Sequence, residues 1–188
     1  MAETWKTIQG WMTPDECGWI AQQARQARVI VEVGVWRGRS TVCWLENTSG
    51  VVYAVDAWPA DGCGCQAYEE LRQKGREAIR NDALKNLAPW LASGRCFLLE
   101  MRSNEAARVL QDLLQFRGAD LVFIDGGHDL LTVADDIRNY LPLVRPGGLL
   151  SGHDYDEVRA GIDSVALRVE VDRPRAGSIW WHRVEEVG

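Results

Sequence analysis

The first residues that suggest chemistry form a glycine-containing turn at the end of a short apolar run. Glu32, Gly34 and Gly38 follow the spacing Glu-x-Gly-x-x-x-Gly, and Glu32 itself belongs to the β-branched run 29–33. Glycines let a backbone approach a ligand closely, and this spacing differs from the Gly-x-Gly-x-x-Gly turn that holds the diphosphate of NAD. A carboxylate here repels a diphosphate and attracts a cation. The turn therefore predicts a site for a cationic ligand.

Asp56 adds a second feature of the same kind of site. It ends the apolar run 51–55, roughly 20 residues beyond Gly34, where an acidic residue commonly holds the hydroxyl groups of a ribose. Together the turn and Asp56 favour a nucleoside-type ligand that carries positive charge. S-adenosylmethionine fits both conditions, because it has a ribose, an ammonium group and a sulfonium group.

Two of the three histidines, His128 and His153, follow later apolar runs. An unperturbed histidine has a pKa of about 6.5, which makes it an effective base at neutral pH. We therefore expect one of these two histidines to remove a proton from a substrate hydroxyl.

These residues require a scaffold that gathers strand ends at one edge. Short apolar runs alternate with segments of helical period, a pattern typical of βαβ units and a parallel sheet. Strands are predicted at 29–33, 51–55, 96–99, 121–124, 149–152, 169–171 and 178–184. The short connection between the last two indicates an antiparallel pair. The predicted fold is one doubly wound α/β domain with a seven-stranded, mostly parallel sheet and one antiparallel strand, and its ligands should bind beyond the carboxyl ends of the strands.

Further detail of the organisation is predicted from local patterns. The single domain spans 1–188, with an N-terminal helical cap over 1–28 and a lid or substrate-recognition insertion over 57–94. Thr13 and Glu16 are spaced as a capping box, which predicts a helix from there to about Arg28. The helix that begins at Ser103 is expected to bury Ala106, Val109, Leu110, Leu113 and Leu114.

Composition excludes several other classes of protein. The 188 residues suit one domain, and the net charge of −6 comes without any run of Lys or Arg, so we expect no nucleic-acid partner. Neither a signal peptide nor an apolar run of about 20 residues is present, so no membrane span is expected. The five cysteines show no Cys-x-x-Cys pair, which favours a reduced, cytoplasmic protein. Cys63 and Cys65 receive no role.

Taken together, these segments resemble the class I S-adenosylmethionine-dependent methyltransferases, which have a Rossmann-like fold. The likeness is carried by residues 31–41, 55–58, 122–128, 142–148 and 152–155. More narrowly, the chain is similar to the small-molecule branch that includes macrocin O-methyltransferase-like and cephalosporin-hydroxylase-like proteins. The resemblance implies methyl transfer from S-adenosylmethionine to a hydroxyl group of a small-molecule acceptor, which the sequence does not identify.

The resemblance also implies roles for individual residues. Glu32, Gly34 and Gly38 would line the methionine moiety, Asp56 would bind the ribose, and Arg102 and Ser103 would border the adenine. Ser40, Ala57 and Asp125 complete the implied cofactor-binding set. Asp125 stands where the family places a catalytic or metal-binding carboxylate.

Whether a metal takes part is left open by the sequence. Some relatives hold a divalent ion with the Asp that ends the fourth strand and an Asp-Asp pair after the fifth. Here that pair is His153-Asp154, so the implied ligands are Asp125, His153 and Asp154. Carboxylates suit Mg²⁺, whereas an imidazole shifts the preference toward a transition metal. The metal-free alternative uses His128 or His153 as the base.

Two other functions remain open at this stage. One is a module of the same fold that binds S-adenosylmethionine or another nucleoside without catalysis. The other is an NAD-dependent oxidoreductase, which the absence of a Gly-x-Gly-x-x-Gly turn disfavours. A homodimer is compatible with the sequence, because a partner subunit could close the pocket of so short a chain.

Overall fold

The computed structural model describes residues 3–58, 66–114, 117–173 and 177–186, and of residues 66–68 it describes the backbone alone. Cys63 and Cys65 lie outside the described residues, as does most of the connection 174–177 between the last two strands. No helix in the described ranges has both the length and the apolar character that a membrane span requires.

The helices and strands follow the predicted alternation. The helices are α1 (Pro14–Ala24), α2 (Arg39–Asn47), α3 (Gln66–Lys74), α4 (Arg76–Ala92), α5 (Ser103–Leu114), α6 (Leu130–Tyr140) and α7 (Tyr155–Ser164), with 3₁₀ turns at Thr4–Thr7 and Leu141–Leu143. The strands are β1 (Val29–Val33), β2 (Val51–Val55), β3 (Cys96–Leu99), β4 (Ala119–Ile124), β5 (Val144–Gly152), β6 (Glu170–Asp172) and β7 (Ile179–Arg183).

One sheet with the order β3-β2-β1-β4-β5-β7-β6 contains all of these strands. Strands β1 to β5 pair in parallel, and β7 is antiparallel to both of its neighbours. The predicted doubly wound α/β fold with one antiparallel strand is thereby confirmed. The strand order reverses between β1 and β4, and in such sheets the ligand crevice opens at that point.

The core lies in two layers, one on each face of the sheet. Successive residues of a strand point to opposite faces, so Ile30 packs with α1, α2 and α4, whereas Val31 packs with α5, α6 and α7. The central strands are buried on both faces, as expected for parallel strands covered by helices. This arrangement fixes the strand ends, and with them the edge that carries the polar residues.

Several local predictions were wrong in detail. Val109 and Leu113 are 41% and 59% exposed, because the buried stripe of α5 runs along Ala106, Ala107, Leu110 and Leu114, one residue to the side. Strand β5 begins at Val144 rather than at Leu149, and it pairs with β4 through a register shift. The first helix ends at Ala24 rather than near Arg28.

The segment 57–94 divides into two parts with different surroundings. Helix α4 buries Ile79, Ala83 and Leu87 and packs on α2 and β3, so it is the crossover helix between β2 and β3. Helix α3 sends Leu71 to the cleft described below. Helix α4 is therefore not part of a lid. The predicted lid can extend only to about Lys74, where α3 ends, and it stays a prediction.

Candidate active site

A cleft of about 750 Å³ opens at the carboxyl ends of strands β1 to β5. Its walls contain ten of the predicted site residues: Gly34, Ser40, Asp56, Ala57, Arg102, Ser103, Asp125, His128, His153 and Asp154. Gly10, Trp11 and Met12 close one side, so the N-terminal segment contributes to the cleft directly. Glu32 and Gly38 are not among the lining residues.

Gly34 lets two central strands approach closely at the base of the cleft. Its φ is +95°, and a Cβ atom there would lie 1.9 Å from the carbonyl oxygen of Asp125. No other residue type fits, because this φ disfavours L side chains and the neighbouring atom belongs to backbone. The packing of β1 against β4 therefore requires glycine at this position, and the predicted contact of Gly34 with the methionine moiety stays a prediction.

Asp56 organises the turn after β1. Its Oδ2 accepts hydrogen bonds from the backbone N–H groups of Val35 and Trp36, each at 2.9 Å, and its Oδ1 accepts one from Trp58 at 2.6 Å. Burial raises the pKa of Asp56, and these N–H donors act against that rise. A carboxylate oxygen can accept two hydrogen bonds, so Oδ1 retains room for a hydroxyl donor at the cleft surface.

Glu32 lies behind the cleft wall. Its side chain is fully buried, and its carboxyl group is bonded to the hydroxyl of Thr41 and to Nε1 of Trp44 at 3.1 Å. Burial raises its pKa to about 8, although these hydrogen bonds oppose the rise. Glu32 thus ties β1 to α2, and its predicted contact with the methionine moiety stays a prediction.

His153 is held between carboxylates on both sides of its ring. Nε2 lies 2.7 Å from Oε1 of Glu16, and Nδ1 lies 3.0 Å from Oδ2 of Asp154 and 3.6 Å from Asp125. Burial alone would lower the pKa of His153, but the three carboxylates outweigh it and raise that pKa to about 11. Since carboxylates only accept, both ring nitrogens donate.

These contacts argue against two of the predicted roles of His153. With carboxylates at both ring nitrogens, His153 presents no free lone pair in this arrangement, and its roles as base and as metal ligand stay predictions. The physical reason is the buried Glu16, which the sequence had indicated only as part of a capping box. His153 instead places a positive charge beside Asp125 and Asp154.

His128 has the more open position. Its Nδ1 lies 2.8 Å from Oε2 of Glu157, and its Nε2 lies 3.3 Å from Oδ2 of Asp154. Because Glu157 only accepts, Nδ1 donates to it. Nε2 faces Asp154 at the longer distance of 3.3 Å, so it is the ring nitrogen at which a proton or a metal ion can exchange. Asp125, His128 and Asp154 each offer a ligand atom within 4.8 Å of the others. Burial raises the pKa of Asp125 to about 6, against the lowering effect of His153.

Backbone strain is concentrated around this cleft. Four residues other than glycine have positive φ in the described ranges, and three of them, Trp36 (52°), Trp58 (44°) and Asp154 (53°), line the cleft. Left-handed conformations of this kind cost about 1–3 kcal/mol each and cluster at functional sites. The indole N–H of Trp58 donates to the carbonyl of Trp36 at 2.8 Å, which holds two of these residues together.

Four residues of the site were not found by sequence reasoning. Glu16 and Glu157 contact the two histidines of the cleft from helices. The other two line the cleft itself, Trp11 from the N-terminal segment and Asp136 from α6. Asp136 did carry a signal, since Val133, Asp136, Ile137 and Tyr140 share one helical face and a carboxylate on a buried stripe is unusual. For Glu16, the capping box with Thr13 was the one sequence signal, and it does not indicate a contact with the cleft.

The sequence and the fold of this protein are similar to those of known methyltransferases. Residues 31–155 match the methyltransferase domain family. The match covers more than half of the chain, from β1 to the start of α7, and the protein belongs to this family. No curated protein sequence matches the chain.

Solved structures share the fold at low sequence identity. The O-methyltransferase of Bacillus cereus, in complex with SAH, superposes with a TM-score of 0.68 at 17% identity, covering 97% of this chain and 87% of that one. The O-methyltransferase TomG of Streptomyces achromogenes, in complex with SAM, gives 0.68 at 15%, covering 93% and 82%. An O-methyltransferase family protein of Burkholderia thailandensis gives 0.64 at 12%, covering 92% of this chain, which spans 56% of its length.

Proposed function

We propose that this protein transfers a methyl group from S-adenosylmethionine to a hydroxyl group of a small molecule. The observation that carries the proposal is that Asp56 binds the turn after Gly34, and this turn leaves β1 where the strand order reverses between β1 and β4. Family membership supports methyl transfer, and the similar structures described as O-methyltransferases with bound SAM or SAH support the cofactor and the oxygen acceptor.

The cleft fits this cofactor in chemistry and in charge. Oδ1 of Asp56 can accept from a ribose hydroxyl, and Arg102 and Ser103 border the position proposed for the adenine. Asp125 and Asp154 make the opposite side of the cleft acidic, which suits the ammonium and sulfonium groups. When bound, S-adenosylmethionine supplies a methyl group made electrophilic by the sulfonium. The protein's part is to align the acceptor and remove its proton.

His128 is the residue that we assign to the proton transfer. Its Nε2 lies 3.3 Å from Oδ2 of Asp154 in the wall of the cleft, and the 2.8 Å contact from Nδ1 to Glu157 orients the ring. The proton of the acceptor hydroxyl would pass to Nε2, and the negative Glu157 would stabilise the imidazolium that results. This pairing of an imidazole with a carboxylate is a recurrent arrangement for a general base.

A divalent cation is the second role that the geometry supports. Asp125, His128 and Asp154 would hold it, with Glu157 fixing the ligating tautomer of His128. This set replaces His153 of the sequence prediction with His128. Two carboxylates and one imidazole suit Mn²⁺ better than Mg²⁺. Calorimetric titration with Mn²⁺ alone tests it: binding that Asp125→Asn abolishes supports the site, and no binding by the unmodified protein contradicts it.

The primary test of the function is calorimetric titration with S-adenosylmethionine, S-adenosylhomocysteine and NAD⁺. We expect the first two to bind at micromolar concentrations and Asp56→Ala to weaken them at least about tenfold, since a hydrogen bond to a charged group is lost. Asp163→Ala, which removes an exposed carboxylate of α7, is the matched control. Binding of NAD⁺ alone would favour an oxidoreductase.

Turnover then separates an enzyme from a binding module. Incubation with S-adenosylmethionine labelled in its methyl group and a panel of sugar and phenol hydroxyl compounds should transfer label to an acceptor. Tight cofactor binding without transfer to any member would favour the binding module. The expected cytoplasmic location, the lack of a nucleic-acid partner and the homodimer stay predictions from the sequence.

A further inference from the structure

Two polar side chains of helix α6 form hydrogen bonds with Ser103, the first residue of α5. Asp136 and Tyr140 lie one helical turn apart and are 2% and 0% exposed. The Tyr140 hydroxyl donates to the carbonyl of Ser103 at 2.9 Å, and the Asp136 carboxylate is hydrogen-bonded to the Ser103 side chain. Ser103 is therefore fixed at both its backbone and its hydroxyl, at the place where it borders the cleft.

The second oxygen of Asp136 has no such partner. Oδ2 is buried and makes no hydrogen bond within the part of the chain that the structure describes. An unsatisfied buried carboxylate oxygen is costly and calls for an explanation. Burial raises the pKa of Asp136 to about 6, so at neutral pH the group is chiefly a carboxylate and can only accept.

The lack of a side chain at Gly126 leaves a small space beside this oxygen. Gly126 also lines the cleft, and a Cβ atom built on it would lie 3.7 Å from Oδ2 of Asp136 and 3.6 Å from a methyl carbon of Val33. Those are ordinary contact distances, so a space the size of one methyl group adjoins Oδ2. Asp136, Ser103 and Gly126 all belong to the same wall of the cleft.

We propose that Asp136 determines the nucleobase specificity of the cofactor site. One carboxylate oxygen holds Ser103, and Oδ2 accepts a hydrogen bond from the exocyclic amino group of adenine. This inference rests on the proposed function and goes further, because it assigns the base-reading role to a residue of α6. An oxygen that only accepts favours an amino group and opposes the carbonyl oxygen that hypoxanthine carries at the same position.

The test compares two ligands that differ at that position alone. Calorimetry with S-adenosylhomocysteine and with S-inosylhomocysteine should show a preference of about 10- to 100-fold for the adenine ligand in the unmodified protein. Asp136→Asn offers an amide that can donate to the carbonyl, so we expect its preference to fall below about threefold. A purely structural role would weaken both ligands equally and leave the ratio unchanged.

Two control variants distinguish recognition of the base by Asp136 from two other effects, the loss of a negative charge and the loss of the hydrogen bond that holds Ser103. Asp163→Asn removes an exposed carboxylate of α7 that pairs with Arg159, and Tyr140→Phe removes the brace on the Ser103 carbonyl. Both should keep the preference for adenine, although Tyr140→Phe should lower the melting temperature.

The outcomes are distinct. Equal binding of the two ligands by the unmodified protein overturns the inference, whether or not Asp136→Asn folds. An undiminished preference in folded Asp136→Asn overturns it as well. Failure of S-adenosylhomocysteine to bind at all removes the proposed function, and this inference with it.

Discussion

Oε1 of Glu16 lies 2.7 Å from Nε2 of His153, across 137 residues of sequence. Glu16 is 1% exposed and His153 is 8% exposed. The other oxygen of Glu16 accepts from the backbone N–H and the hydroxyl of Thr13, each at 2.8 Å, and so caps α1. One carboxylate thus anchors the N-terminal helix to the end of β5. A side chain at Gly177 would collide with it, since a Cβ there would lie 1.7 Å from Oε1.

Loss of Glu16 should destabilise the whole domain. Glu16→Ala leaves His153 charged and buried without its partner, and breaking a buried ion pair commonly costs about 3–5 kcal/mol. Thr13→Ala removes only the cap, for which we expect about 1 kcal/mol. Urea denaturation measures both free energies of unfolding. Equal losses in the two variants would show that Glu16 acts as a cap and nothing more.

Two glycine substitutions should have opposite effects. Gly34→Ala forces a Cβ to 1.9 Å from a backbone oxygen at a φ of +95°, and we expect loss of both stability and S-adenosylhomocysteine binding. Gly18→Ala lies within α1 with nothing within 4 Å of the new Cβ. It should stabilise the protein by about 0.5–1 kcal/mol. Thermal melting compares them, and a neutral Gly34→Ala would refute the close approach of β1 and β4.

The buried Glu32 should make stability depend on pH. Its pKa is raised to about 8 in the folded protein and is ordinary when unfolded, so between those values the native state binds more protons. Stability should therefore fall as pH rises from about 5 to 8, by at most about 1.4 kcal/mol per pH unit. Glu32→Gln keeps partners for Thr41 and Trp44 without titrating. The difference between the two proteins in free energy of unfolding isolates the effect, and parallel pH curves would disprove it.

Removal of His128 should affect turnover far more than cofactor binding. We expect His128→Ala to lower methyl transfer to a screened acceptor by about 10²–10⁴-fold, the usual contribution of a general base, while its affinity for S-adenosylhomocysteine changes less than about threefold. Glu157→Gln still accepts from Nδ1 but loses its charge, so its effect should be smaller, about tenfold. Unimpaired transfer by His128→Ala would assign the base elsewhere.

The fold could be predicted from sequence because its signals are local. The β-branched runs that became β1 and β2 match the observed bounds, and the short link before β7 correctly indicated an antiparallel strand. The errors in the predicted core came where tertiary packing decides which face of a helix is buried. Val109 and Leu113 are apolar, yet α5 is rotated so that Ala107 faces the sheet and they do not.

The site was predictable only as far as it follows strand ends. Asp56 and Asp125 stand directly after strands, and His128 and Asp154 follow shortly after strand ends, where the topology of a parallel sheet gathers them. Glu16 and Glu157 come from helices whose approach to the cleft depends on packing across the whole domain. Their contacts with the histidines could not be predicted either, since a single sequence does not reveal which carboxylates surround a histidine.

The left-handed backbone at Trp36, Trp58 and Asp154 affects how the thermal stability of this protein can be raised by mutation. Glycine tolerates such φ values without steric cost, so replacing these residues by glycine would relieve strain in the folded chain. A screen that rewards heat resistance alone could therefore favour variants that have lost an aromatic wall or an acidic group of the cleft. Thermostable variants of this protein are best selected on ligand retention at the same time.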